Sequence, residues 1–134
     1  MRLTRLIEEV EEGRSADLTT LLGIQYDHEM AQTWGYFYES YGNRVFHLET
    51  IRTSRKARRG TGTAIMEELC DIADREGFII SLSLATKGDF RGSDKWKSTT
   101  STGRLERWYR SFGFKRKASS GRYDLRGHMM RSPR

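Results

Sequence analysis

The apolar residues of this chain change their spacing several times, and each change marks an element. Leu3, Leu6, Ile7 and Val10 recur at helical intervals, so residues 2–12 read as an amphipathic helix that Gly13 ends. Ser15 is placed to cap a second helix carrying Leu18, Leu21 and Leu22. Residues 24–33 keep no clear period. Trp34 to Tyr41 is rich in aromatics, Gly42-Asn43 is a turn signal, and Arg44 to Ser54 carries Val45, Phe46, Leu48 and Ile51. The pattern predicts a β-hairpin over residues 35–54.

The next run, Arg55 to Ala64, is too basic and glycine-rich for a strand. Behind it Ile65, Leu69, Ile72 and Ala73 form one helical face that ends near Gly77. Phe78 to Ala85 alternates apolar residues with serine and reads as a buried strand. Residues 44–85 are therefore strand, basic glycine loop, helix and strand, a β-α-β unit that favours parallel pairing. A long polar loop covers 86–101, a short helix 103–111, and strand-like pieces lie near 113–117 and 126–131, around the turn Ser119-Ser120-Gly121. The fold class this predicts is α/β (α+β), a central mixed sheet flanked by helices, as one domain over residues 1–134.

Composition narrows the class. The apolar runs are only a few residues long, so no stretch is suited to cross a bilayer and no membrane partner is expected. The first residues lead into Glu-rich sequence rather than an apolar stretch, unlike a secretory signal. Cys70 is the single cysteine, which excludes an internal disulfide and fits a cytoplasmic location. On the helix over residues 63–76 it reads as a buried filler. His28 and His128 have no partners at metal-ligand spacing, so no metal is expected. Charge is distributed unevenly: residues 1–51 carry −5, residues 52–85 carry +1 and residues 86–134 carry +10.

The candidate chemistry lies in Arg58-Arg59-Gly60-Thr61-Gly62-Thr63. A loop that leaves a strand and opens a helix presents unpaired backbone N–H groups at the positive end of the helix dipole. Gly60 and Gly62 let an anion approach that backbone, and Arg52, Arg55, Lys56, Arg58 and Arg59 raise the local potential. A phosphate is the natural ligand. It is neither a P-loop, which needs a GK[ST] run, nor a Rossmann turn, because residue 65 is Ile where a third glycine is required.

Ala57-Arg58-Arg59-Gly60-Thr61-Gly62, with the helix Thr63 to Leu69 behind it, resembles the [QR]-x-x-G-x-[GA] signature of the GNAT N-acetyltransferase superfamily. A register shifted to Arg59-x-x-Gly62-x-Ala64 restores the arginine. A second resemblance lies in Tyr109-Arg110-Ser111-Phe112-Gly113-Phe114, similar to the Tyr-x-x-x-Gly-Phe that closes the family's last helix. Thr102 stands where the family often has asparagine. The resemblance covers residues 44–134, and residues 1–43 match nothing in it. The compact build is similar to that of small phage-encoded members.

The resemblance implies acetyl-CoA as co-substrate, its pyrophosphate on the amides of Arg58, Arg59, Gly60, Thr61, Gly62 and Thr63. Ile51, Arg52 and Thr53 would give their backbone edge to the pantetheine arm, and Tyr109 would face the sulfur. A phenol near pKa 10 gives its proton to a thiolate near 8.5 uphill by roughly 2 kcal/mol, so a hydrogen bond is the larger part of such a role. Glu49, or His47 on the same face of a regular strand, would take the amine proton. The acidic first third suits a cationic amine as acceptor, a lysine side chain or a polyamine. Lys95, Trp96, Lys97, Arg104, Arg107, Trp108, Tyr109 and Arg110 interleave cations with aromatics, which keeps a nucleic-acid-binding module as an alternative. A GNAT scaffold that binds partners without turnover is another. The glycine loop and the Tyr-x-x-x-Gly-Phe motif together explain more of the chain than charge does, so acyl transfer leads.

Overall fold

The computed structural model describes residues 14–84, 95–97, 102–116 and 128–134. The expected helix over 2–12, the turn at 119–121 and most of the polar loop over 86–101 lie outside the described residues.

Leu18–Leu22 form a short helix, α1. Its N-cap is Asp17, whose carboxylate accepts from the Thr20 N–H at 2.7 Å. Ser15, the expected cap, instead donates its hydroxyl to Glu49. Strand β1 (Ala31–Ser40) begins earlier than the pattern suggested, inside the stretch that showed no period. It turns back through Tyr41-Gly42 into β2 (Asn43–Thr53). The turn sits one residue before the Gly-Asn signal. Helix α2 spans Thr61–Glu76, β3 Ile79–Ser83, α3 Thr102–Ser111, β4 Lys115–Arg116 and β5 His128–Arg131.

The five strands form one sheet in the order β1-β2-β3-β5-β4. Among the described strands only β2 and β3 run parallel, joined by α2 as the β-α-β pattern requires. The fold is thus α+β, a mixed sheet with helices. One core holds it together: Phe37, Phe46 and Phe78 meet with ring centroids 4.9–6.4 Å apart, and Ile65, Met66, Leu69, Cys70 and Ala73 of α2 pack on the same cluster. Leu18, Leu21 and Leu22 of α1 join it, as do Tyr109 and Phe114 at the end of α3.

Two irregularities position the site. The β1–β2 register passes from Gly35↔Leu48 to Trp34↔Thr50, which makes Glu49 the extra residue of a β-bulge. Gly35 is required there, because a Cβ on it would lie 2.7 Å from the His47 carbonyl oxygen and 2.3 Å from the Phe46 ring. The β2–β3 ladder then stops at Leu48↔Leu82, although β2 runs on to Thr53. The sheet therefore parts just where β2 is bulged.

Candidate functional site

A cavity of about 330 Å3 lies beside the part of β2 that has left β3. It is lined by Ile51, Arg52 and Thr53, by Gly60, Gly62 and Thr63, and on the far side by Arg104, Leu105 and Trp108 of α3. The structure thus brings the strand edge and the glycine loop to one space. Sequence reasoning missed its third wall, although Trp108 stands next to Tyr109 in the motif it used.

The direction of each β2 peptide follows from its neighbours. Ser54 N–H bonds the Met30 carbonyl at 2.7 Å, toward β1. By alternation Arg52 also turns its peptide to β1, while Ile51 and Thr53 turn theirs to the cavity side. There a short segment, Lys95-Trp96-Lys97, pairs with the strand end: Lys97 N–H bonds the Thr53 carbonyl at 3.0 Å, and Arg55 N–H bonds the Lys95 carbonyl at 3.0 Å. The peptide groups of Ile51 and the Thr53 N–H are left facing the cavity. The Arg52 guanidinium is engaged elsewhere, donating to Gln32 Oε1 at 2.6 Å and lying 4.6 Å over the Trp96 ring.

Helix α2 opens onto the same space. Gly60 is its N-cap, at φ 92° in the left-handed region that glycine tolerates, and no side chain caps the turn. Thr61 N–H and its hydroxyl both bond the Arg58 carbonyl, at 3.2 and 2.7 Å. The N–H groups of Gly62 and Thr63 belong to the first turn, where the helix itself offers no acceptor. A Cβ on Gly62 would stand 3.6 Å from Thr53 and 3.9 Å from Trp108, at the junction of all three walls. Trp108 Nε1 donates to Thr63 Oγ1 at 3.2 Å and fastens α3 to the helix end. Arg58 and Arg59 are exposed, and neither is among the residues that line the cavity.

Next to the parting of β2 and β3 stands a cluster of titratable groups. Tyr36 pairs with His47 and His47 with Ser81, so their side chains share one face of the sheet. His47 Nδ1 is 2.9 Å from Ser81 Oγ, and its ring lies 5.2 Å from Tyr36 and 6.2 Å from His128. Burial lowers the His47 pKa from its ordinary value, against the opposing pull of the nearby Glu49 carboxylate. Burial, then Glu49, then Tyr38 raise that of Tyr36. Despite the bulge, Glu49 therefore stays within electrostatic reach of His47. Ser15 holds the Glu49 carboxylate.

Tyr109 is placed differently from its neighbours. Its ring is in the core, 5.0 Å from Trp108 and 5.6 Å from Phe114, while Leu105 and Trp108 form the cavity wall. Burial pushes its hydroxyl pKa up to about 12. Cys70 is buried as well, and its thiol is pushed up to about 11, chiefly by burial, which makes it a poor nucleophile. Among the described residues no three His, Cys, Asp or Glu side chains gather as a metal site, and no helix is long and apolar enough to cross a membrane.

These features define an α+β protein with a split mixed sheet and a cavity at the split. Among solved structures the fold is similar to the crystal structure of the anti-CRISPR protein AcrVA5, with a TM-score of 0.55 and 16% identity, covering 81% of this chain and 97% of that one. No protein-family model and no curated protein matches the chain. At that identity the likeness is one of fold.

Proposed function

We propose that this chain is a GNAT-type N-acyltransferase that moves an acetyl group from acetyl-CoA to an amine. The observation that carries the reading is the meeting of an uncapped, glycine-opened helix N-terminus with an outward-facing strand edge on one cavity. The residues fit the co-substrate. First-turn amides at Gly62 and Thr63 suit a pyrophosphate. The Ile51 peptide and the Thr53 N–H suit an amide-bearing arm lying along β2, and Leu105 with Trp108 shields the reacting region from water.

Bound acetyl-CoA supplies a thioester as acyl donor. The chain's own part is positioning and proton handling. His47, kept neutral by burial, accepts the proton that the amine loses, with Ser81 orienting its ring and Glu49 beside it stabilising the charged form. Tyr109, expected beside the sulfur, is buried in the core and does not line the cavity, so it is assigned neither a contact with the leaving sulfur nor proton transfer. From a pKa of about 12 to a thiolate near 8.5 the transfer is uphill by about 5 kcal/mol.

Calorimetry with CoA tests the reading. Gly62→Ala places one methyl in ordinary contact with Thr53 and Trp108 and should retain binding. Gly62→Val fills the junction and should weaken CoA at least ~10-fold. Wild-type affinity in the valine variant would remove the assigned loop.

The fold likeness favours a second reading, that the chain opposes a CRISPR system, as the name of the anti-CRISPR protein says of that protein. Plasmid interference by a CRISPR effector, measured with and without co-expression of the chain, tests it. Loss of interference that disappears in Gly62→Val would join the two readings. Unchanged interference across effector types would reject the second.

A further inference from the structure

A second cavity, of about 230 Å3, lies against the first residues of β1, and the acyl-transfer reading makes no use of it. Its walls are Tyr26, His28, Gln32, Trp34, Lys95 and Trp96, with the Asp17 carboxylate at the edge. We propose that this cavity binds one unpaired nucleobase of a single-stranded nucleic acid. The proposal stands apart from the acetyl-CoA reading and uses none of its residues as ligands.

Four of the nine described lining residues carry rings, Tyr26, His28, Trp34 and Trp96. Tyr26 and His28 form a stacked pair, centroids 4.5 Å apart and planes at 14°, fixed from beneath by the Tyr26 hydroxyl on Thr33 at 2.5 Å. Trp34 is 41% exposed, which leaves part of its ring open to a ligand. Planar π-faces of this kind stack on bases whatever their sequence.

The occupied face of Trp96 bears on the choice between a base and the other ligand that aromatic boxes take, a cation. Trp96 is already flanked by two cations, the Arg52 guanidinium at 4.6 Å and Lys95 Nζ at 5.1 Å. A third cation would meet repulsion where an empty box would offer attraction. Glu29, 3.9 Å from Lys95, and Asp17 of the lining offset these two charges, but it is the cations that lie over the Trp96 ring. A neutral ring carrying a phosphate fits both features. The cavity is below the ~300 Å3 typical of whole-ligand pockets, which suits a single ring system. Polar groups for the base edge are at hand: the Gln32 amide keeps its N–H donors while its oxygen accepts from Arg52, and Asp17 uses one oxygen for Thr20. A carboxylate and an amide favour bases with an exocyclic amino group, adenine, cytosine or guanine, over thymine.

The test is tryptophan fluorescence of the full chain titrated with 12-mers of dA, dC and dT, with a lysine-rich 12-mer peptide and with CoA. The expected result is quenching by dA12 and dC12, at least ~5-fold weaker affinity for dT12, and loss of at least ~10-fold in affinity in Trp34→Ala and in Lys95→Ala. Trp34 is partly exposed, so its variant should fold, which circular dichroism checks. Four outcomes overturn the proposal: no oligonucleotide binding; binding that Trp34→Ala and Lys95→Ala leave unchanged, as for general attraction to a basic surface; preference for the peptide; or competition by CoA, which would make the cavity the seat of the cofactor's own adenine. Failure of CoA to bind at all would damage the acyltransferase reading and leave this one standing.

Discussion

Trp108 Nε1 donates to Thr63 Oγ1 at 3.2 Å, so the last described helix is tied to the first turn of α2, whose amides border the cavity. Thr63→Val keeps the shape and removes the acceptor. Such a bond contributes about 1 kcal/mol. We expect that loss in urea denaturation, together with weaker CoA binding, and a loss in the Thr63→Val, Trp108→Phe double variant smaller than the sum of the two single losses. Additive losses would show that the two side chains act independently.

At the bulge, Gly35 leaves no room for any side chain: the nearest atoms to an added Cβ include a backbone oxygen, which has little freedom to move. Gly35→Ala should therefore cost more than 2 kcal/mol, beyond the usual range for a surface substitution. Gly60→Ala meets no neighbour and suffers only from its φ of 92°, for about 1–2 kcal/mol. Equilibrium unfolding would rank the two, and the reverse order would place the bulge wrongly.

The Asp74 carboxylate takes two parallel bonds from the buried Arg131 guanidinium, at 2.8 and 2.9 Å, and a third from Arg134 N–H at 2.8 Å. The Arg131 hydrogen bond, first among its causes, lowers the Asp74 pKa below the usual carboxylate range. Its contribution is complete above the unfolded value near 3.9 and is lost as pH falls through the lower folded value. Asp74→Asn should remove that acid limb. Asp74→Ala should cost about 3 kcal/mol at neutral pH, because Arg131 is left buried without its carboxylate.

His47 has the same sign at higher pH. Its lowered pKa means that the unfolded chain binds its proton first, so stability falls as pH drops below about 6.5 and levels off below the folded value. Thermal melts of His47→Gln should lose this slope. The same variant should lower kcat on an amine acceptor by ~100-fold and flatten the acid side of the pH–rate profile. An unchanged profile would return the proton to Glu49.

Tyr109→Phe should melt like the parent chain, since the ring is what fills the core. Because Tyr109 does not line the cavity, kcat on an amine acceptor and CoA affinity should both stay within ~2-fold of the parent. With a hydroxyl pKa of about 12, no loss of rate from its ionisation should occur below pH 10. A ~10-fold lower kcat at unchanged CoA affinity would instead return Tyr109 to the leaving sulfur.

Local order was readable from residues alone. The 3.6 period of Ile65, Leu69, Ile72 and Ala73 and the glycines before it sufficed to place α2 and its exposed first turn, because periodicity and missing side chains are local properties. The parallel pairing of β2 with β3 followed from the intervening helix. What tertiary structure decided was where each group points. The bulge at Glu49 depends on Gly35, fourteen positions earlier in the chain, and on how closely two strands approach. Trp108 rather than Tyr109 faces the cavity because α3 is rotated by its contacts with α2 and Phe114, and neighbours on a helix differ in direction by about 100°. Ser15 caps nothing, since Glu49 and Asp17 offered better partners once the chain had folded. The second aromatic cavity joins residues 17–34 to 95–96, a pairing that no spacing along the chain encodes, because it is made by a sheet edge and not by a period.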